Sequence, residues 1–182
     1  MASIGHIAVG MAAARAYHHG QQPHPWKVAA SMVLWSGLSL LPDLDVLGFG
    51  FGIQYADPWG HRGATHSLLF TVGLGLVLGM LAPSGGRTRL RTAAFAAAVL
   101  VSHPLLDTLT DGGLGCALLW PFESTRYFAP WNPIPVAPIG ARFFTMAGVR
   151  VAVPELLLFS PFIAYALWRR GDPSRPSQHS DP

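Results

Sequence analysis

SLLFTVGLGLVLGMLA, residues 67–82, runs for sixteen positions without a charged side chain. A strand needs fewer residues than this and an ordinary surface helix needs a polar face, so the stretch reads as a helix surrounded by apolar material. Its two flanks differ. HRGATHS, residues 61–67, puts two histidines and an arginine at its mouth, whereas PSGGRTRLR, residues 83–91, closes it with breakers and three arginines. Ionisable groups beside a membrane helix are costly, which makes the first flank a candidate for function.

Further apolar segments lie to either side, at 4–17, 26–41 (WKVAASMVLWSGLSLL, ended by Pro42), 92–106 (TAAFAAAVLVSHPLL) and 151–168 (VAVPELLLFSPFIAYALW). Most fall short of the about 20 residues of a full span, so polar flanks must extend them or the bundle must sit partly embedded. The composition agrees with a membrane protein: 51% of the 182 residues are hydrophobic and 12% charged, against about 25% charged in soluble domains. The predicted fold is all-α, a membrane-embedded bundle of about five apolar helices with a polar site at one membrane face. It forms one domain over residues 1–170, followed by a disordered polar tail at 171–182. The N-terminal MASIGHIAVGMAAARAYHHG lacks a basic region before its apolar run and reads as a retained first helix. Cys116 is the single cysteine, which excludes an internal disulfide and a cysteine-based zinc cage. The net charge is +3, but the arginines stand in short clusters, a poor nucleic-acid footprint and a better match to lipid headgroups.

Those clusters orient the bundle. Arg15 and Lys27 flank the first turn, Arg87, Arg89 and Arg91 fill the loop between the third and fourth segments, and Arg169, Arg170 and Arg175 follow the fifth. If the segments alternate in direction, all of these fall on one side, which the positive-inside rule makes cytoplasmic. The loops at 42–66 and 107–150 then face outward, towards the periplasm or cell exterior. Arg62, Arg126, Arg142 and Arg150 are spread over that opposite side.

On this topology His6, Asp43, Asp45, His61, His66, His103 and Asp107 all land at the outward level. His103 and Asp107 are i and i+4 and share a helix face, with Pro104 between them marking a kink or a helix start. Asp43 and Asp45, two apart, can serve one ion together or one each. His61 and His66, five apart, are not neighbours on a helix face, so at least one sits in a turn. Taken singly, His6 reads as an interior residue and Asp43 or Asp107 as a helix cap; their convergence favours a metal site. Nitrogen and oxygen ligands without sulfur favour zinc, with manganese as an alternative. Seven candidates exceed one tetrahedral set, which suggests one or two ions. The stretch WPFESTRYFAPWNPIPV, residues 120–136, reads first as an interfacial aromatic belt and second as a lid or acyl-chain groove.

The ordered set of an early GH, LLPDLD, HRGATHS, SHPLLDTLTDGG and WPF resembles the YdjM-type membrane-bound, metal-dependent hydrolases of bacterial inner membranes, over roughly residues 1–125 and arguably the final helix. The resemblance implies hydrolysis and leaves the substrate open. A more distant likeness is to the helical zinc-dependent phospholipases C and related single-strand nucleases, through His103 and Asp107 and through Asp45 followed by His61 or His66. Their later histidine and His-x-x-x-Glu ligands have no counterpart after Asp107. The expected activity is hydrolysis of a phosphoester or ester bond in a lipid-like substrate, with a metal-activated water as nucleophile. Asp43 is placed to orient that water and Arg62 to stabilise developing charge. A metal transporter or sensor without such chemistry is the alternative, and it requires polar residues near mid-helix.

Overall fold

The computed structural model describes residues 3–21, 23–83 and 85–168. The predicted tail at 171–182, and with it Arg169, Arg170 and Arg175, lies outside the described residues. Five α-helices form: α1 Ser3–Tyr17, α2 Pro25–Leu40, α3 Leu68–Leu81, α4 Gly86–Asp107 and α5 Met146–Leu167. Among the described residues there is no β-strand, only isolated bridges from Thr110 to Ile134 and from Cys116 to Tyr127. Among the described residues, two stretches are long and apolar enough to cross a membrane, Pro25–Phe51 and Met146–Leu167; α3 is apolar but shorter.

The second segment does not end at Pro42. It tightens into a 3-10 helix over Leu41–Phe51, with Pro42 in its first turn. A proline is tolerated there because the first-turn N–H groups have no intrahelical acceptor. Asp43, expected as a possible cap, makes no capping bond; the position before this helix is Leu40. Pro104 likewise sits inside α4, which continues to Asp107.

Small residues bring the helices together. A Cβ at Gly75 would lie 2.4 Å from the Cα of Ala97, and one at Gly79 would lie 2.2 Å from the Cα of Ala93. Thus α3 and α4 run antiparallel with their backbones in close approach, the Gly-x-x-x-Gly spacing met in membrane helix pairs. Gly10 packs against the backbone of Trp35 and Ser36 in the same manner, and Ser36 donates to the Ile7 carbonyl at 3.1 Å, so α1 and α2 are also antiparallel. Helix α5 runs parallel to α1, since Glu155 accepts from the Gly5 N–H and Arg15 reaches the Trp168 carbonyl. Chain direction therefore alternates along the sequence. The N-terminus of α1, the 3-10 helix after α2, the approach to α3 and the C-terminus of α4 meet at one end; Arg15, Lys27, Arg87, Arg89 and Arg91 belong to the other ends of the same helices.

Candidate metal centre

The approach to α3 is folded tightly by its glycines. A Cβ at Gly60 would come within 2.1 Å of the Gln54 carbonyl oxygen, and one at Gly63 within 2.3 Å of that of Pro58. Between them Arg62 takes φ 63°, a left-handed conformation that a bulky residue adopts only where its surroundings impose it. The surroundings here are explicit. Nε of Arg62 lies 3.1 Å from Oδ2 of Asp107, and Nη1 donates to Thr110 Oγ1 at 2.9 Å and to the Gly112 carbonyl at 3.0 Å. The chain then makes a single 3-10 turn, Ala64–His66, before Ser67 caps α3 by accepting from the Phe70 N–H. Both His61 and His66 thus lie ahead of the helix.

Four side chains converge in front of this turn. One ligand atom each from Asp43, His66, His103 and Asp107 lies within 4.8 Å of all the others. His66 Nε2 is 3.1 Å from His103 Nε2, 3.5 Å from Asp43 Oδ1 and 3.5 Å from Asp107 Oδ2. His103 Nε2 is 3.2 Å from Asp43 Oδ1 and 3.9 Å from Asp107 Oδ2. Zinc held at about 2.0–2.2 Å by tetrahedral nitrogen and oxygen ligands has ligand-to-ligand edges of about 3.3–3.6 Å. The residues present therefore fit a small divalent cation in both chemistry and spacing.

The ring orientations fit as well. His103 Nδ1 lies 2.7 Å from the Ser39 carbonyl oxygen, which can only accept, so the proton is on Nδ1 and the lone pair of Nε2 turns to the cluster. His66 Nδ1 faces Asp45 Oδ2 at 3.2 Å, leaving Nε2 for the same point. Asp45 is heavily used: it also takes His61 Nδ1 at 2.7 Å, the Thr65 hydroxyl at 2.7 Å and the Arg62 N–H at 3.2 Å. Asp45, His61 and His66 form a second close group of ligand atoms, sharing His66 with the first. Burial lowers the affinity of His66 for a proton, but hydrogen bonds to Asp107, Asp43 and Asp45 overcome this and raise its pKa to about 10.

His6 stands beside the first group without joining either. Its ring stacks on that of His103 with centroids 3.7 Å apart, and its Nε2 is 3.4 Å from Asp107 Oδ1. Exposure separates the remaining ligands: His66, His103 and Asp107 are buried, whereas the Asp43 side chain is 27% exposed.

The chain matches the YdjM inner membrane protein family over residues 1–171. It belongs to that family. Inner membrane protein YbcI of Escherichia coli (strain K12) is 42% identical over 135 residues, covering 72% of this chain and 78% of that relative. No solved structure matches the chain. The YdjM match extends through α5, whose buried Glu155 accepts from the Gly5 N–H in the first turn of α1.

Several residues that hold the cluster were not singled out in the sequence. Thr65 and Thr110 bond Asp45 and Arg62. Arg126 donates to the carbonyls of His61, Tyr55 and Asp57, fastening the long second loop over the first. Thr65 had a local signal in lying between the two histidines; Arg126 had none, because its partners are backbone oxygens about seventy positions away. Of the aromatic stretch 120–136, Trp120 packs on Trp59 with centroids 5.3 Å apart, and Phe122 and Trp131 are exposed.

Proposed function

We propose that this protein is a membrane-bound, metal-dependent hydrolase that cleaves a phosphoester or ester bond of a lipid-like substrate. Its bundle crosses the inner membrane several times, and the His/Asp cluster faces the periplasm or exterior. The observation that carries this reading is the arrangement of four ligand atoms at tetrahedral spacing, three of them buried and the fourth, on Asp43, open to a groove. A closed four-ligand site is the structural type, whereas catalytic zinc keeps three protein ligands and an accessible fourth position. His66, His103 and Asp107 make such a set of two histidines and one carboxylate, with Asp43 at the open side. The orientation rests on the basic residues at the far helix ends.

A divalent cation held there, zinc by its donor set or manganese as the alternative, supplies Lewis acidity and lowers the pKa of water towards about 7. Asp43 accepts the proton of the attacking water at its exposed carboxylate. His61, whose Nδ1 is fixed by Asp45, keeps Nε2 for the groove it lines and protonates the departing oxygen. Arg62, also in the groove wall, balances negative charge on the acyl or phosphoryl oxygen. Asp45 orients both histidines through their Nδ1 atoms. In this reading the first group is the metal centre and Asp45 with His61 supports it, one ion of the one or two that the two groups could hold. A transporter or sensor would use ligands at mid-helix; Glu155, buried near the middle of α5, is committed to the Gly5 N–H.

Elemental analysis and ester turnover of the full-length, detergent-purified chain test this. Wild type and Asp43→Asn should both carry stoichiometric zinc or manganese, His103→Ala should carry none, and only wild type should turn over phosphoester or carboxylester substrates. Metal-free wild type under chelator-free conditions, or undiminished turnover in His103→Ala, would remove the proposal.

A further inference from the structure

A groove of about 540 Å³ opens beside Asp43, within the size range of sites that enclose one small ligand. Its lining combines the polar Asp43, Tyr55, His61 and Arg62 with the apolar Val46, Val136, Ile139, Phe143 and Phe144. Of the aromatic stretch read first as a belt and second as a lid or acyl-chain groove, only Val136 reaches this lining; Ile139, Phe143 and Phe144 come from the segment after it, which includes the 3-10 turn Gly140–Phe144.

We propose that the apolar part of this lining receives an acyl chain of a bilayer lipid whose anionic, ester-linked head lies at Arg62, beside the cluster. Three features point to that occupant. Arg62 lines the groove and, with its Nε paired to Asp107, is the cationic side chain there that a phosphate or carboxyl oxygen can approach. The apolar wall leads directly into α5, a helix long and apolar enough to cross a membrane. Its outermost side chains, Phe144 at 88% and Met146 at 68% exposure, are large and apolar. Moving a chain from lipid into this wall keeps its methylenes out of water. A substrate can therefore bring its head to the cluster without exposing its tail to water. The inference rests on the proposed hydrolase for its chemistry but not for its measurement.

Photocrosslinking separates the two. Full-length protein in phosphatidylcholine nanodiscs is irradiated with phosphatidic acid carrying a diazirine near the end of one acyl chain, and with phosphatidylcholine carrying the same chain. Labelling of residues 136–144 is read by mass spectrometry against labelling of the exposed face of α3, which contacts lipid without selection. The expected result is a severalfold higher ratio for phosphatidic acid, reduced to the α3 level in Ile139→Asp with its metal content unchanged. Equal ratios for the two lipids would overturn the inference, as would full labelling in Ile139→Asp. Loss of the ratio on adding inorganic phosphate alone would show that a soluble phosphate takes the place at Arg62, and would overturn the assignment to a bilayer lipid. Selective labelling on a protein without ester turnover would retain the lipid groove and remove the hydrolase.

Discussion

Helix α4 is packed in two contrasting ways along its length. Its first half meets α3 through Ala93 and Ala97, backbone against the glycines of α3. Its last turn meets α1, the 3-10 helix and the His66 turn through His103 and Asp107, amid buried carboxylates and imidazoles. Close approach of small residues yields dispersion and demands nothing of solvent. Burying several charges together costs desolvation that pairing recovers only in part. A chain that keeps the second arrangement beside the first holds it for what the charges do.

Replacing Asp107 should produce the largest effect at the polar end. Asp107→Ala removes a candidate ligand and strands the Arg62 guanidinium, so it should lose its metal and also about 3–5 kcal/mol of stability. Thermal unfolding and elemental analysis in detergent read the two losses separately. Stability equal to wild type would mean that Arg62 has another counter-charge and that the polar end is less finely balanced than its geometry implies. At the dry end the expected effect is smaller: Gly79→Ala forces α3 from α4 and should cost about 1–3 kcal/mol. The remaining folded protein should keep its full metal content. Metal loss in parallel with unfolding would show that the two halves of α4 are a single cooperative unit.

Acidity gives the finest discrimination. His66 has its pKa raised to about 10 in the folded chain, above an unfolded value of about 6.5. Its contribution to metal-free protein is fully present below about pH 6.5 and is lost as pH rises through about 10. The Tm of metal-free wild type should therefore fall over that interval, and the fall should flatten in His66→Gln. Zinc displaces the same proton, so its binding should tighten with pH; a pH-independent affinity near neutrality would place His66 outside the ligand set.

The helices were legible because their signal is local. Apolar segments at 4–17, 26–41 and 67–82 match α1 to α3 closely, whereas α4 and α5 begin six and five residues before 92–106 and 151–168, so that Arg87, Arg89 and Arg91, read as loop, lie in the first turns of α4. The errors came at prolines. Pro42 was expected to stop a helix, whereas it enters a tighter one; Pro104 was expected to kink or start one, and since α4 runs through it, it is not a start. Each removes a backbone donor, and whether that ends a helix depends on the neighbouring geometry. The site was legible as residue types at one level of the bundle, since ionisable groups are scarce enough in this chain to stand out.

The amino-acid sequence alone determined the helical order, the alternation that gathers His6, Asp43, Asp45, His61, His66, His103 and Asp107 at one end, and the polarity set by the arginines. These follow from hydropathy and charge along the chain. Only the tertiary structure decided how those seven divide: Asp43, His66, His103 and Asp107 around one point, Asp45 behind two imidazoles, and His6 stacked alongside. That division depends on which ring nitrogen meets which oxygen, and it is fixed by contacts such as Ser39 to His103 and Asp45 to His66. These partners are far apart in the chain, and no spacing along the sequence encodes them.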